Sequence, residues 1–217
     1  MSTLRRQQAG FTIVELMVAT LVFSMVLLVI TIGVLSFTNA YYRGVTQSST
    51  QNTARLILEN ISQAIQFSGL QVTSPITGTG NTRGFCLGDQ RYSFLLGYQL
   101  VDGTPKANQS KHALMQDAYG DCSGASAQDL QSSGTLKGEE LLSPHMRLAK
   151  LSVTPLANNL YSVTIRVVYG DDDLLVSPSG KTPAATAPDA TCKGSAGAQF
   201  CAVSELSTVV QKRITTQ

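Results

Sequence analysis

The chain has 217 residues, room for one anchoring helix and one globular domain of ordinary size. Its formal charge is only +2 at pH 7, so bulk charge gives no support for nucleic-acid binding. Charged residues are sparse while Gly, Ser and Thr are plentiful, which suits an exported, loop-rich domain better than a cytosolic enzyme.

The first ten residues are polar, and Arg5 and Arg6 are their only charges. Without those two, the rest of the chain is formally neutral, with 14 basic and 14 acidic side chains. Residues 16–42 carry no charge at all. A bilayer core needs roughly 20 apolar residues in helical form, and Leu16–Phe37 supplies them. Tyr41 and Tyr42 follow as interfacial aromatics, while Arg5 and Arg6 favour a cytoplasmic N-terminus. A secretory signal has a shorter apolar core and is cleaved after it, so this run is expected to be retained. One acid, Glu15, sits near its start. An acid facing lipid costs about 2.5–3.5 kcal/mol at the bilayer centre and less toward an end. Such a residue can favour the helix dipole, snorkel to the interface or meet a specific partner.

The stretch Gly10-Phe-Thr-Ile-Val-Glu-Leu-Met-Val-Ala19, with the apolar run behind it, resembles the type IV prepilin signal. The resemblance implies that prepilin peptidase cuts between Gly10 and Phe11 and methylates the new amino terminus of Phe11. It implies that Glu15, the fifth mature residue, neutralises the amino terminus of a neighbouring subunit during assembly. Domain boundaries follow: residues 1–10 a cytoplasmic leader, 11–38 a transmembrane helix, 39–69 its amphipathic continuation and 70–217 a β-rich periplasmic or extracellular head. Many major pilins carry a helix-breaking proline in the membrane half. Here the corresponding region reads Thr31-Ile32-Gly33, which turns the comparison toward a minor pilin or a pseudopilin.

Beyond Tyr42, Ala54, Ile57, Leu58, Ile61, Ala64 and Ile65 recur at helical spacing, with Arg55, Glu59, Asn60 and Gln63 elsewhere. Ser48–Thr53 is a poor helix former, so loosening is expected there, and Gly69 is a natural C-cap. Residues 70–90 read as loop, punctuated by Pro75, Gly78, Gly80, Gly84 and Gly88. Tyr92, Phe94, Leu96, Tyr98 and Leu100 predict one strand, and His112–Tyr119 a second with poor alternation. Residues 120–139 read as a flexible loop. Arg147–Thr154 and Tyr161–Tyr169 form the clearest hairpin, around a turn at Pro155–Asn159. Ser177–Gln199 reads as a surface loop. The last segment fits helix or strand; the resemblance favours a strand on the sheet. The fold expected is α+β, a long N-terminal helix packed on an antiparallel sheet.

Cys86, Cys122, Cys192 and Cys201 all follow the apolar run, and an even count in an oxidising compartment suggests two disulfides with three pairings open. The pairings Cys86–Cys122 and Cys192–Cys201 are favoured because each closes a loop rich in Gly, Ser and Ala. No C-x-x-C pair is present, and His112 and His145 lack zinc-ligand spacing, so no metal or other cofactor is expected. Asp171, Asp172 and Asp173 are weak calcium candidates, since consecutive acids cannot all face one ion. No nucleophile, base and orienting group assemble into a catalytic set, which argues against an enzyme.

The function implied is a structural subunit of a type IV pilus, a minor pilin, PilW-like in organisation, acting in initiation or at the tip. The alternative is a J-type pseudopilin of a type II secretion system. A membrane-anchored receptor and a DNA-uptake pilin rank lower. The partners implied are prepilin peptidase, other pilin or pseudopilin subunits, an inner-membrane assembly platform and, before assembly, lipid. The expected location is a single-pass inner membrane protein with its head outside, then a pilus or pseudopilus.

Overall fold

The computed structural model describes residues 10–67, 76–78, 81–120, 125–132, 135–194 and 197–213. The chain divides into two compact units, Met1–Tyr41 and Tyr42–Gln217. One helix, α1 (Ile13–Phe67), contributes to both.

In the first unit α1 has no buried face. Every large apolar side chain from Ile13 to Phe37 is exposed. The hydroxyls in this stretch turn inward on the helix itself. Thr20 donates to the Met17 carbonyl, Ser24 to Thr20, Thr31 to Leu27 and Thr38 to Val34, at 2.7–3.0 Å. Bonds of this kind satisfy a hydroxyl where no water is at hand.

In the second unit α1 acquires a buried stripe: Thr46, Thr50, Thr53, Ala54, Ile57, Ile61 and Ile65. The expected loosening at Ser48–Thr53 does not occur, and helix is continuous there. The threonines are buried members of the stripe, and they stay satisfied by bonding back to the preceding turn, Thr46 to Tyr42 and Thr50 to Thr46. Propensity is a weak prior when a face is buried. Gly69 lies outside the described residues.

Twelve strands follow among the described residues: β1 (Ile76–Thr77), β2 (Thr82–Leu87), β3 (Gln90–Leu95), β4 (Gln99–Leu100), β5 (Gln109–Ser110), β6 (Leu114–Ala118), β7 (Glu139–Glu140), β8 (Met146–Pro155), β9 (Leu160–Tyr169), β10 (Leu175–Val176), β11 (Thr191–Cys192) and β12 (Ala202–Gln211). They form a sheet in the order β1-β2-β3-β6-β7, a second in the order β12-β9-β8-β4-β5, and a small β10-β11 pair. All neighbours are antiparallel except β4 and β5. Both large sheets share one core with the helix stripe. Ile57, Ile61 and Ile65 pack with Phe85, Tyr92 and Leu114 from the first sheet and Leu148, Val163 and Ile165 from the second. The fold is therefore α+β, with a long apolar N-terminal helix and antiparallel-rich sheets.

Several local expectations change. Residues 70–90 are not simply loop, because β1 and β2 lie within them. Gly84 sits inside β2, where a Cβ would collide with the Tyr92 carbonyl oxygen. It marks close backbone approach, not a turn. Gly88 (φ 65°) and Asp89 form the tight turn joining β2 to β3. The single strand through Tyr92–Leu100 is two. β3 stops at Leu95, Gly97 turns the chain with φ 81°, and β4 joins the other sheet. Within 120–139, Ala127 and Leu130 are buried, and Gln128 donates to Asp117 and the Lys137 carbonyl, so the described part is packed. Within Ser177–Gln199, Ala185, Ala187 and Ala190 are buried and Thr191–Cys192 is a strand. The hairpin is β8–β9, with Asn158 and Asn159 at φ 61° and 58° in its turn. The last segment is strand β12, registered along all of β9.

Polar groups lock the sheets. Arg91 and Asp117, opposite each other on β3 and β6, form a buried two-point pair at 2.7 and 3.0 Å, and the guanidinium lies over the Tyr119 ring. Arg147 is fully buried, donates to the carbonyls of Gly97 and Gly170, and meets Asp172 at 2.7 Å. Removing one partner of a buried pair leaves an uncompensated charge, at about 3–5 kcal/mol when both are buried. The Asp172 side chain is 40% exposed, so Asp172→Ala should cost less, about 2 kcal/mol. Asp173→Ala should be close to neutral. Chemical denaturation of both variants checks the contrast.

Glu140 accepts backbone N–H bonds from Ala113, Leu114 and Leu142. Burial nevertheless pushes its carboxyl up to about 7, against those three bonds. The folded carboxyl thus keeps its proton where an unfolded one, with its ordinary value of 4.5, has lost it. This contribution to stability is full below that ordinary value and is lost as pH rises through about 7. Neighbouring His112 acts oppositely. Burial, then Lys111, lowers its pKa, so its contribution is lost as pH falls. Glu140→Gln should flatten the fall in melting temperature between about pH 5 and pH 8. An unchanged slope would show that Glu140 is not its source.

Candidate processing and assembly site

α1 begins at Ile13 because Thr12 caps it. The Glu15 N–H donates to Thr12 Oγ1 at 3.2 Å, and the Leu16 N–H to the Thr12 carbonyl at 3.2 Å. Thr12-x-x-Glu15 has the spacing of a capping box, a local signal that hydropathy alone hides. Glu15 is the acid of the first turn, where the partial positive charge of the helix end favours it. Gly10 and Phe11 precede the helix, and Phe11 is 83% exposed. The three residues singled out from the sequence thus lie together at the start of α1. Among the described residues, Glu15 has no salt-bridge partner within the chain.

Behind this start, α1 is long and apolar enough to cross a membrane, with none of its most apolar window buried within the protein. Residues 5–31 match the family profile described as the prokaryotic N-terminal methylation motif. The chain carries a type IV prepilin-like signal. The match covers the end of the leader from residue 5, then Gly10, Phe11, Glu15 and most of the apolar run. The motif implies processing by prepilin peptidase and assembly with other pilins, and it supports a pilin- or pseudopilin-like protein. The α+β architecture is pilin-like, and the helix fits a single-pass anchor. No curated protein and no solved structure matches the chain.

The other candidates lie away from the helix start. Cys192 and Cys201 form a disulfide, with Cα atoms 5.7 Å apart. This bridge closes the segment whose end meets the helix: Phe200 packs on Tyr42 at 5.6 Å between ring centroids, and Thr46 donates to the Gln199 carbonyl. Tyr42 therefore has a tertiary contact beyond its expected interfacial place. Cys86 is buried and disulfide-bonded, while Cys122, its expected partner, lies outside the described residues. Among the described residues, no group of three or more His, Cys, Asp or Glu is placed to hold a metal ion. Two of the weak calcium candidates have protein partners. Asp171 accepts from Gln99, and Asp172 takes Arg147 and Asn108.

Eight residues lie between Cys192 and Cys201, and none of the described ones is fully buried, so the bridge should stabilise chiefly by restricting the unfolded chain. Replacing both cysteines with serine should cost about 2–3 kcal/mol in denaturant titrations. The same substitution should increase amide hydrogen exchange at positions 200 and 201.

Proposed function

We propose that the chain is a structural subunit of a type IV pilus, a minor pilin acting in initiation or at the tip. Prepilin peptidase removes residues 1–10 and methylates the amino group of Phe11. Residues 11–38 hold the subunit in the inner membrane, residues 39–69 continue the helix into the head, and residues 70–217 form the head outside. Assembly transfers the helix from lipid to the apolar helices of neighbouring subunits on the membrane platform.

The observation that carries this proposal is Glu15 on the first turn of an exposed apolar helix, four residues from Phe11 and inside the matched segment. Cleavage gives each subunit one amino group and one carboxylate four residues apart. In a staggered stack, Glu15 of one subunit neutralises the amino terminus of the next. The attraction is strong where water is excluded. A cap or dipole role also suits Glu15, and it is compatible with this one because the bond to Thr12 uses the backbone N–H of Glu15.

The second reading is a J-type pseudopilin of a type II secretion system. It is favoured to a similar degree by the same helix start and by the absence of proline between Phe11 and Gly69. Labelling separates the two: a minor pilin appears in purified surface fibres, whereas a pseudopilin is absent from them and its loss blocks protein secretion.

Mass spectrometry of the membrane-fraction protein tests the processing step. The expected N-terminus is methylated Phe11. An intact Met1 leader in a cell with active prepilin peptidase would contradict it, and Gly10→Val should trap the uncut form.

A further inference from the structure

A cleft of about 710 Å³ opens on the head, within the second unit. It is bounded by β2, by the turn that carries β3 into β4, and by the segment from Lys181 to Pro188. Its volume falls within the range of small-molecule sites and exceeds what a single ion needs. The walls are set by close backbone approach. A Cβ on Gly97 would lie 2.5 Å from Thr186 Cα, so the turn and the 181–188 segment can meet this closely only with glycine there.

The lining is chemically one-sided. Arg83 and Lys181 supply two cations, and no carboxylate lines the cleft among the described residues. Arg83 is exposed and has no carboxylate partner among those residues. Lys181 spends one donor on the Thr186 carbonyl at 3.4 Å and keeps its charge and two further N–H groups. Asn81 donates to the Tyr98 hydroxyl at 3.1 Å, which leaves the phenol proton available to a ligand acceptor. Thr82 also borders the cleft, but it is 2% exposed and its hydroxyl is shielded from solvent, so it forms wall rather than a ligand contact.

We propose that this cleft binds an acidic sugar, a short carbohydrate bearing carboxylates. The two cations fit the carboxylates, and the Asn81 amide and the Tyr98 phenol fit ring hydroxyls. A fully neutral sugar leaves both cations unanswered, and a bare phosphate fills only part of the volume. The inference rests on the residues that line the cleft and is independent of the filament role.

Isothermal titration of the full chain, in micelles of a detergent without a sugar headgroup, tests it with three probes: trigalacturonate, maltotriose and inorganic phosphate. Saturable binding of trigalacturonate is expected, with maltotriose weaker by about tenfold or more, the size of one charge-assisted bond. Arg83→Ala and Lys181→Ala should each weaken trigalacturonate by about tenfold, and Arg83→Lys should recover much of the loss. Both side chains are exposed, so unchanged melting temperatures are expected, and Arg83→Gln serves if Arg83→Ala unfolds. Absence of saturation, equal affinity for maltotriose, or an Arg83→Ala/Lys181→Ala double variant that binds like the parent would overturn the proposal. Phosphate binding as tightly as trigalacturonate and displacing it would replace the sugar site by a simple oxyanion site.

Discussion

The apolar surface of α1 between Ile13 and Phe37 cannot be left to water. Each large apolar side chain there is exposed, and fully burying one is worth roughly 1.5–3 kcal/mol. A lipid bilayer and a bundle of similar helices are both suitable surroundings. Moving between them costs little, because lipid tails are about as apolar as Leu, so packing and polar contacts decide the exchange. That leaves the polar groups of the stretch as the discriminating features. Thr20, Ser24, Thr31 and Thr38 are satisfied within the helix. Glu15 has no salt-bridge partner in its own chain among the described residues, and the proposed role gives it one in the next subunit.

The same helix changes solvent part-way along. From Ala54 onward, one face is buried in the core it shares with two sheets. Two long strand pairings, β8 with β9 and β9 with β12, build the second sheet, and the buried Arg147 joins it to the Gly97 turn and to Asp172. The loop ended by Phe200 reaches α1 at Tyr42, and the Cys192–Cys201 bridge limits its freedom. Within the second unit the helix thus keeps one face buried over about five turns.

The parts legible in the sequence were those with strong periodicity or a tight motif. The uncharged run, the stripe from Ala54 to Ile65 and the strict alternation at Tyr161–Tyr169 each state one burial pattern over many residues. The spacing of Gly10, Phe11 and Glu15 falls inside the segment that matches the methylation motif. The errors came where one residue type has two uses. Glycine at 84 and 88 suggested loop, yet one permits close approach inside a strand and the other makes a two-residue turn. Threonine at 50 and 53 suggested a weak helix, yet both belong to the buried stripe of a continuous helix. The bend at Gly97 was hidden because the alternation of Tyr92, Phe94 and Leu100 continues through it, all three being buried in the same core. The cleft near Arg83 and Lys181 had no sequence signal, since its lining comes from segments about a hundred residues apart.

The central claim is that Glu15 is paired between subunits. It is tested most directly by incorporation of Glu15→Ala into fibres or pseudopili, measured beside the processing of the same variant. The account predicts normal cleavage to Phe11 and normal membrane insertion. It also predicts that incorporation falls by about a hundred-fold, the scale of losing one partner of a buried ion pair. A Glu15→Ala subunit that is processed and incorporated like the parent would contradict it.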